Sequence, residues 1–321
     1  MIRRDPVDDT PAVTDGPTPI VLDCDPGHDD AIALLLALAS PELELLGVTT
    51  TFGNQTLEKT TANAMRVLEL AGRSDVPVAA GADAPLEREL VVAAHVHGES
   101  GLDGPALPPP SVEPVSTDAV GWIADAVRAS QKPVTLVPTG PLTNIARYLR
   151  AHGTDGIERI VLMGGAIAEG NMTPAAEFNI WADPEAARVV FDAELDVTMI
   201  GLDVTHRAVT GPDVQRRLRE AGSVGVFVAE LVDFFTVYHR RTYGWDGAPI
   251  HDAVAVAHVL RPGLVETKLR NVEVELESEL CRGRTVVDLW LRTERAPNAH
   301  VGVDLDSDAF FDLLVERIQR F

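Results

Sequence analysis

The stretch IVLDCDPGHDDAIALLLALA, residues 20–39, decides the fold. It opens as a short apolar, β-rich run and ends in nine unbroken apolar residues, Ala31 to Ala39. A strand that turns at Pro26-Gly27 into a buried helix is the first half of a β–α–β unit. Asp23, Asp25, Asp29 and Asp30 crowd that turn within eight positions. Two carboxylates about 4 Å apart repel by about 4 kcal/mol at an effective dielectric near 20. An aspartate at a helix N-terminus is commonly a cap contributing about 1 kcal/mol, which accounts for Asp29 or Asp30 singly but not for the cluster. A bound cation accounts for the cluster.

Working outward, the alternation continues. Strand-like runs at LELLGVTTTFGN (43–54), VPVAAG (76–81), PVTLVPTG (133–140), IERIVLMGG (157–165) and DVTMIGLD (196–203) are separated by helical patterns. This predicts an α/β fold, a mainly parallel central sheet with helices on both faces. The last third adds extra helices and short strands. Helices are expected over about 211–238 and at HDAVAVAHVL (251–260), strands at LRNVEVELE, TVVDLWL and HVGVDLD, and a closing amphipathic helix. REAGSVGV (219–226) and HRRTYGWDGAP (239–249) read as mobile loops. With no linker or repeat, residues 19–321 are expected to form one domain behind a flexible tail at 1–18, rich in Pro, Asp and Thr.

Composition narrows the function. The 321 residues are 45% hydrophobic and carry a formal charge of −22, which argues against nucleic acid or an anionic membrane as partner. The longest apolar run falls far short of the ~20 residues of a membrane span. Two cysteines, Cys24 and Cys281, suggest neither a disulfide scaffold nor a Cys-rich zinc site and fit a reducing cytoplasm.

Ligands of open parallel sheets bind beyond the carboxyl ends of the strands. There this chain places Asp25, Asp29 and Asp30, then Asn54, then Thr139, then the loop AIAEGNMTPAAEFNIWADP (166–184) with Asn171, Glu177 and Asn179. His251 adjoins Asp252 at a helix start, as an acid beside a metal site would. His258, inside an apolar run, reads as structural. His95 and His97 form an H-x-H pair, but no further His–Cys set completes a zinc site. Phosphate-loop, dinucleotide-binding and nucleophile-elbow motifs are absent. Asp, Asn and backbone carbonyl donors suit a hard cation, Ca²⁺ or Mg²⁺.

The opening motif, with GNQTLEKT, VHGESGLDGPALP, LVPTGPLTNIA, IVLMGGA, GNMTPAAEFNIWADPEAARVVF, GLDVTH and HDAVAVA, closely resembles the inosine-uridine preferring nucleoside hydrolases. The likeness runs from about Pro19 to the C-terminus and is nearest to the pyrimidine-preferring members. It implies cleavage of the N-glycosidic bond of a small-molecule ribonucleoside at a Ca²⁺ centre, in a homodimer or homotetramer. By the same likeness, Asp25, Asp30, Asp252 and the Thr139 carbonyl are Ca²⁺ ligands, and Asp25 is general base. Asp29, Asn54, Asn171, Glu177 and Asn179 match ribose-binding positions, and His251 matches an acid at the departing base. His97 matches a base-pocket position. His95 stands where pyrimidine-preferring relatives often have Asn, and His239 where they often have Gln, while Tyr243 fits their pattern. Uridine and cytidine are the expected substrates, with weaker inosine cleavage. The alternatives are a purine-preferring or broad hydrolase, and a non-catalytic protein that uses Ca²⁺ to hold a nucleoside. A phosphatase with an aspartyl nucleophile lacks its Lys at the strand ends.

Overall fold

The computed structural model describes residues 16–321, so most of the expected tail lies outside the described residues. Strand β1 (Thr18–Cys24) is buried beyond its first residue and turns through Pro26-Gly27 into α1 (His28–Leu38). From His28 to Ala37 every residue of α1 is buried, which is why its apolar run shows no polar face. Strand β2 (Leu43–Thr50), α2 (Leu57–Leu70) and β3 (Val78–Ala80) build the sheet to one side of β1. After α3 (Ala94–His97) and α4 (Ala119–Ala129), the chain recrosses to β4 (Val134–Pro138) on the other side of β1. There α5 (Thr143–His152), β5 (Ile157–Met163), α6 (Phe178–Ala182), α7 (Pro184–Phe191) and β6 (Asp196–Ile200) continue outward.

The remaining elements are α8 (Leu202–Thr205), α9 (Pro212–Arg219), α10 (Gly222–Tyr243), α11 (Asp252–Leu260), β7 (Val265–Arg270), β8 (Val272–Val274), β9 (Thr285–Val287), β10 (Ala299–Leu305) and α12 (Ser307–Ile318). The sheet order is β3-β2-β1-β4-β5-β6-β10-β7, parallel except for β7 against β10, and β8 pairs β9 as a separate antiparallel ribbon. The expected architecture is therefore present. One core lies on the face covered by α1, α2, α10, α11 and α12, and a second on the face covered by α4, α5 and α7. Strand order reverses between β1 and β4, and the crevice at their carboxyl ends is where such a sheet receives a ligand.

Two expected loops contain helix, the first for most of its length and the second only as far as Tyr243. Only Glu220 and Ala221 separate α9 from α10, and α10 runs through His239 to Tyr243 before Gly244, at φ 73°, ends it in the left-handed conformation. The expected strand at LRNVEVELE begins earlier, at Val265, and is divided into β7 and β8. TVVDLWL supplies only Thr285–Val287 as strand. Both cysteines are free, and among the described residues no helix is long and apolar enough to cross a membrane.

Candidate active site

At the β1–α1 turn, Asp30 reaches back over the helix start. Its Oδ2 accepts from the Gly27 amide at 3.1 Å and from Asn54 Nδ2 at 2.8 Å, and its Oδ1 accepts from the Thr139 hydroxyl at 2.9 Å. Part of its role is thus the cap that sequence spacing allows. Asp25 accepts from the Asn54 amide at 2.6 Å through Oδ2, while its Oδ1 is buried without a partner. Asp252, the first residue of α11, comes from the far end of the chain to meet them. Carboxylate oxygens of Asp29, Asp30 and Asp252 lie within 4.8 Å of one another, all buried. Among the described residues, no Lys or Arg lines the cleft above.

Burial dominates the electrostatics. It raises Asp29 to about 7 and Asp30 above the ordinary carboxyl range, with Asp30 adding to the rise at Asp29. It raises Asp25 and Asp252 well above that range, and neighbouring carboxylates raise both further. Asp29, Asp30 and Asp252 thus form a buried all-oxygen donor set that a hard divalent cation fits, with Asp29 in it where Asp25 was expected; Asp25, with its orphaned oxygen, lies beside that set and outside the converging three.

Asp23 does not join them. Its Oδ1 accepts from Thr49 Oγ1 at 2.5 Å and Asn144 Nδ2 at 2.8 Å, and its carbonyl accepts from the Thr139 amide at 2.8 Å. Asn144 also donates to the Thr50 carbonyl and accepts from the Ala82 amide. This buried knot ties the ends of β1, β2 and β4 in register beneath the floor, and burial lifts Asp23 to about 7. Within the cluster of four, one aspartate is structural.

The loop after β5 forms the side of the cleft. Glu177 caps α6, accepting from the amides of Asn179 and Ile180, and also binds the Gly165 amide. Burial holds it at about 6 against the pull of those bonds. Asn179 Nδ2 donates to the carbonyls of Thr139 (2.7 Å) and Met163 (3.1 Å). Asn171 Oδ1 accepts from the Phe178 amide at 2.9 Å. Every site residue expected from sequence lines this one cleft except Asp25 and Asp30, which lie beneath it.

The cleft also carries a cluster of rings. His97, His239, Tyr243 and His251 line it as expected, and His95 stands exposed at the rim, edge-on to Tyr238. Because α3 is helical, His95 and His97 point apart and cannot share an ion. Burial lowers His239 to about 4 and takes His97 and His251 well below the usual imidazole value. Sequence reasoning missed several members. His206, Phe235 and Tyr238 also line the cleft, Trp245 stacks on Tyr243, and Thr205 Oγ1 lies 2.7 Å from His251 Nδ1. His28, between Phe234 and Phe235, bonds the Asp103 carbonyl at 2.8 Å and touches His97 at 3.1 Å. The GLDVTH motif and the H in PGHDD were the available signals.

Residues 20–312 match the model of the family described as inosine-uridine preferring nucleoside hydrolase. A pyrimidine-specific ribonucleoside hydrolase RihA of Shewanella sp. (strain MR-7) is 55% identical over 304 residues, 94% of this chain and 96% of that protein. Its namesake from Salmonella typhimurium is 53% identical over 307 residues, 94% of this chain and 99% of that one. Among solved structures, a purine-preferring ribonucleoside hydrolase from Gardnerella vaginalis superposes with a TM-score of 0.88 at 35% identity, covering 94% of this chain and 98% of its own.

Proposed function

The chain belongs to the inosine-uridine preferring nucleoside hydrolase family, enzymes that hydrolyse N-glycosyl bonds, and on that premise we propose that it is a Ca²⁺-dependent hydrolase preferring uridine and cytidine. The observation that carries the reading is that one cleft brings two kinds of group together. Acids and amides line it together with a connected set of aromatic and imidazole rings, groups that suit the ribose and the base of one nucleoside. The pyrimidine preference is supported by the relatives at 53–55% identity, which outweigh the more distant purine-preferring structure.

Asp25, Asp30, Asp252 and the Thr139 carbonyl would hold the ion, with Asp29 at its edge. When bound, Ca²⁺ supplies an acidified water and anchors vicinal hydroxyls. Asp25, whose buried Oδ1 has no protein partner, takes the proton of the attacking water. Asn54, Asp29, Asn171, Glu177 and Asn179 hold the sugar. Cleavage builds positive charge on the ribose, and buried carboxylates stabilise that charge more than the neutral substrate. His251 stands at the departing base, and His95, His97, His239 and Tyr243 enclose it. The same likeness supports one catalytic domain over 19–321, a homodimer or homotetramer, and a cytoplasmic setting.

The test is a panel of uridine, cytidine, inosine and 2′-deoxyuridine, with free base and sugar quantified, before and after chelation and Ca²⁺ restoration. Uridine and cytidine should lead. Loss of the 2′-hydroxyl should lower kcat/KM steeply, since it leaves buried polar partners unpaired. Chelation should abolish turnover. A tenfold preference for inosine over uridine overturns the pyrimidine assignment, and chelator-resistant activity overturns the metal.

A further inference from the structure

Thr205 ends the short helix that follows β6, and its side chain is fully buried. Its Oγ1 lies 2.7 Å from Nδ1 of His251 and has no other hydrogen-bond partner among the described residues. A buried hydroxyl must send its one proton somewhere, and among those residues the imidazole nitrogen is the only acceptor in reach. Nδ1 therefore accepts, and the ring's own proton sits on Nε2. That nitrogen is neither bonded within the protein nor sealed from the cleft that His251 lines.

We propose that Thr205 is a positioning residue: it fixes His251 as the tautomer carrying Nε2–H toward the leaving base, so that neutral His251 assists departure as a hydrogen-bond donor. This rests on the proposed function, which places His251 beside the base. As the O–C1′ bond forms and the C1′–N1 bond breaks, the electron pair passes to the base. The attacking water loses its proton to Asp25, the base regains a proton from solvent after release, and the imidazole keeps its own. A pyrimidine, with a carbonyl oxygen beside the scissile nitrogen, is served by a neutral donor. A purine leaving group that needs a full proton at N7 is served less well.

The experiment compares wild type with Thr205→Val and Thr205→Ser as full-length, Ca²⁺-loaded protein. Two-bond ¹H–¹⁵N correlation spectra, with His251→Gln for assignment, report the tautomer directly. The second readout is the ratio of kcat on uridine to kcat on 4-nitrophenyl β-D-riboside, whose nitrophenolate leaves without a donor. Wild type and Thr205→Ser should carry the proton on Nε2. Thr205→Val should mix the tautomers and lower the ratio about tenfold, with Ser restoring it. A wild-type proton on Nδ1, or an unchanged ratio in Thr205→Val, overturns the inference. The tautomer is measured in wild type alone, so that result holds even if the valine variant misfolds, and it is separate from whether uridine is the substrate.

Discussion

Two glycines keep Asp25 usable. A Cβ on Gly140 would lie 2.4 Å from Asp25 Oδ1, and one on Gly53, at φ 152°, would lie 2.0 Å from Oδ2. Gly140→Ala should therefore displace the orphaned oxygen rather than unfold the chain, at about 1–3 kcal/mol of overpacking. Elemental analysis should find most of the proposed Ca²⁺ lost, with uridine kcat/KM down more than tenfold; an alanine variant retaining both would remove Oδ1 from the proposed coordination shell. At this scale the acids were legible because Asp25, Asp29 and Asp30 sit close together in sequence and recur with Asn54 and Thr139 at strand ends. Thr205, His28 and His206 were not. What a hydroxyl or imidazole does depends on the partner that tertiary structure brings to it, and neither composition nor spacing records that partner. Asp23, counted in the acidic cluster but not among the expected ligands, still lies within β1 and faces Thr49 and Asn144, whereas Asp25 is past the strand end and free to turn into the site.

Helix α6 exists at the cleft because Glu177 caps it. Glu177→Ala would strand the amides of Gly165, Asn179 and Ile180, and should lower unfolding free energy by about 2–4 kcal/mol in a urea titration. It should also lower kcat/KM for uridine, cytidine and inosine by a common factor, because the loop it holds faces the sugar. A selective loss on one base would relocate Glu177 to base recognition. Most elements were readable from apolar periodicity, and the two misread segments show where that signal fails. A Cβ on Gly225 would lie 2.2 Å from the Leu218 carbonyl, so glycine there marks close packing of α10 against α9 instead of a loop. The last turn of α10 exposes Arg240, Arg241 and Thr242, leaving no apolar stripe to betray a helix.

Across the molecule, buried imidazoles set a stability slope. Burial lowers His258 in α11 to about 4 from an ordinary 6.5. The unfolded chain binds the proton more readily, so the stabilisation is full above about 6.5 and is lost as pH falls toward 4. At pH 5 this histidine alone accounts for about 2 kcal/mol, and His258→Leu should shrink the gap in unfolding free energy between pH 7 and pH 5 by that amount. An unaltered gap would mean that His258 is not buried neutral. The arrangement of the last elements has a further consequence. Strand β10 lies between β6 and the earlier-made β7, and α12 buries Phe310 and Leu313 in the core that contains α1 while Arg317 grips Glu42 at 3.0 and 2.6 Å. A ribosome adds about 5–20 residues per second. Helix α1 packs most extensively on α11, which is made long after it, and so waits many seconds for that cover, while the acid floor cannot close until Asp252 on α11 has emerged. Nascent chains should need chaperone custody throughout, and a premature stop that spares every catalytic residue should still yield an inert, aggregation-prone product.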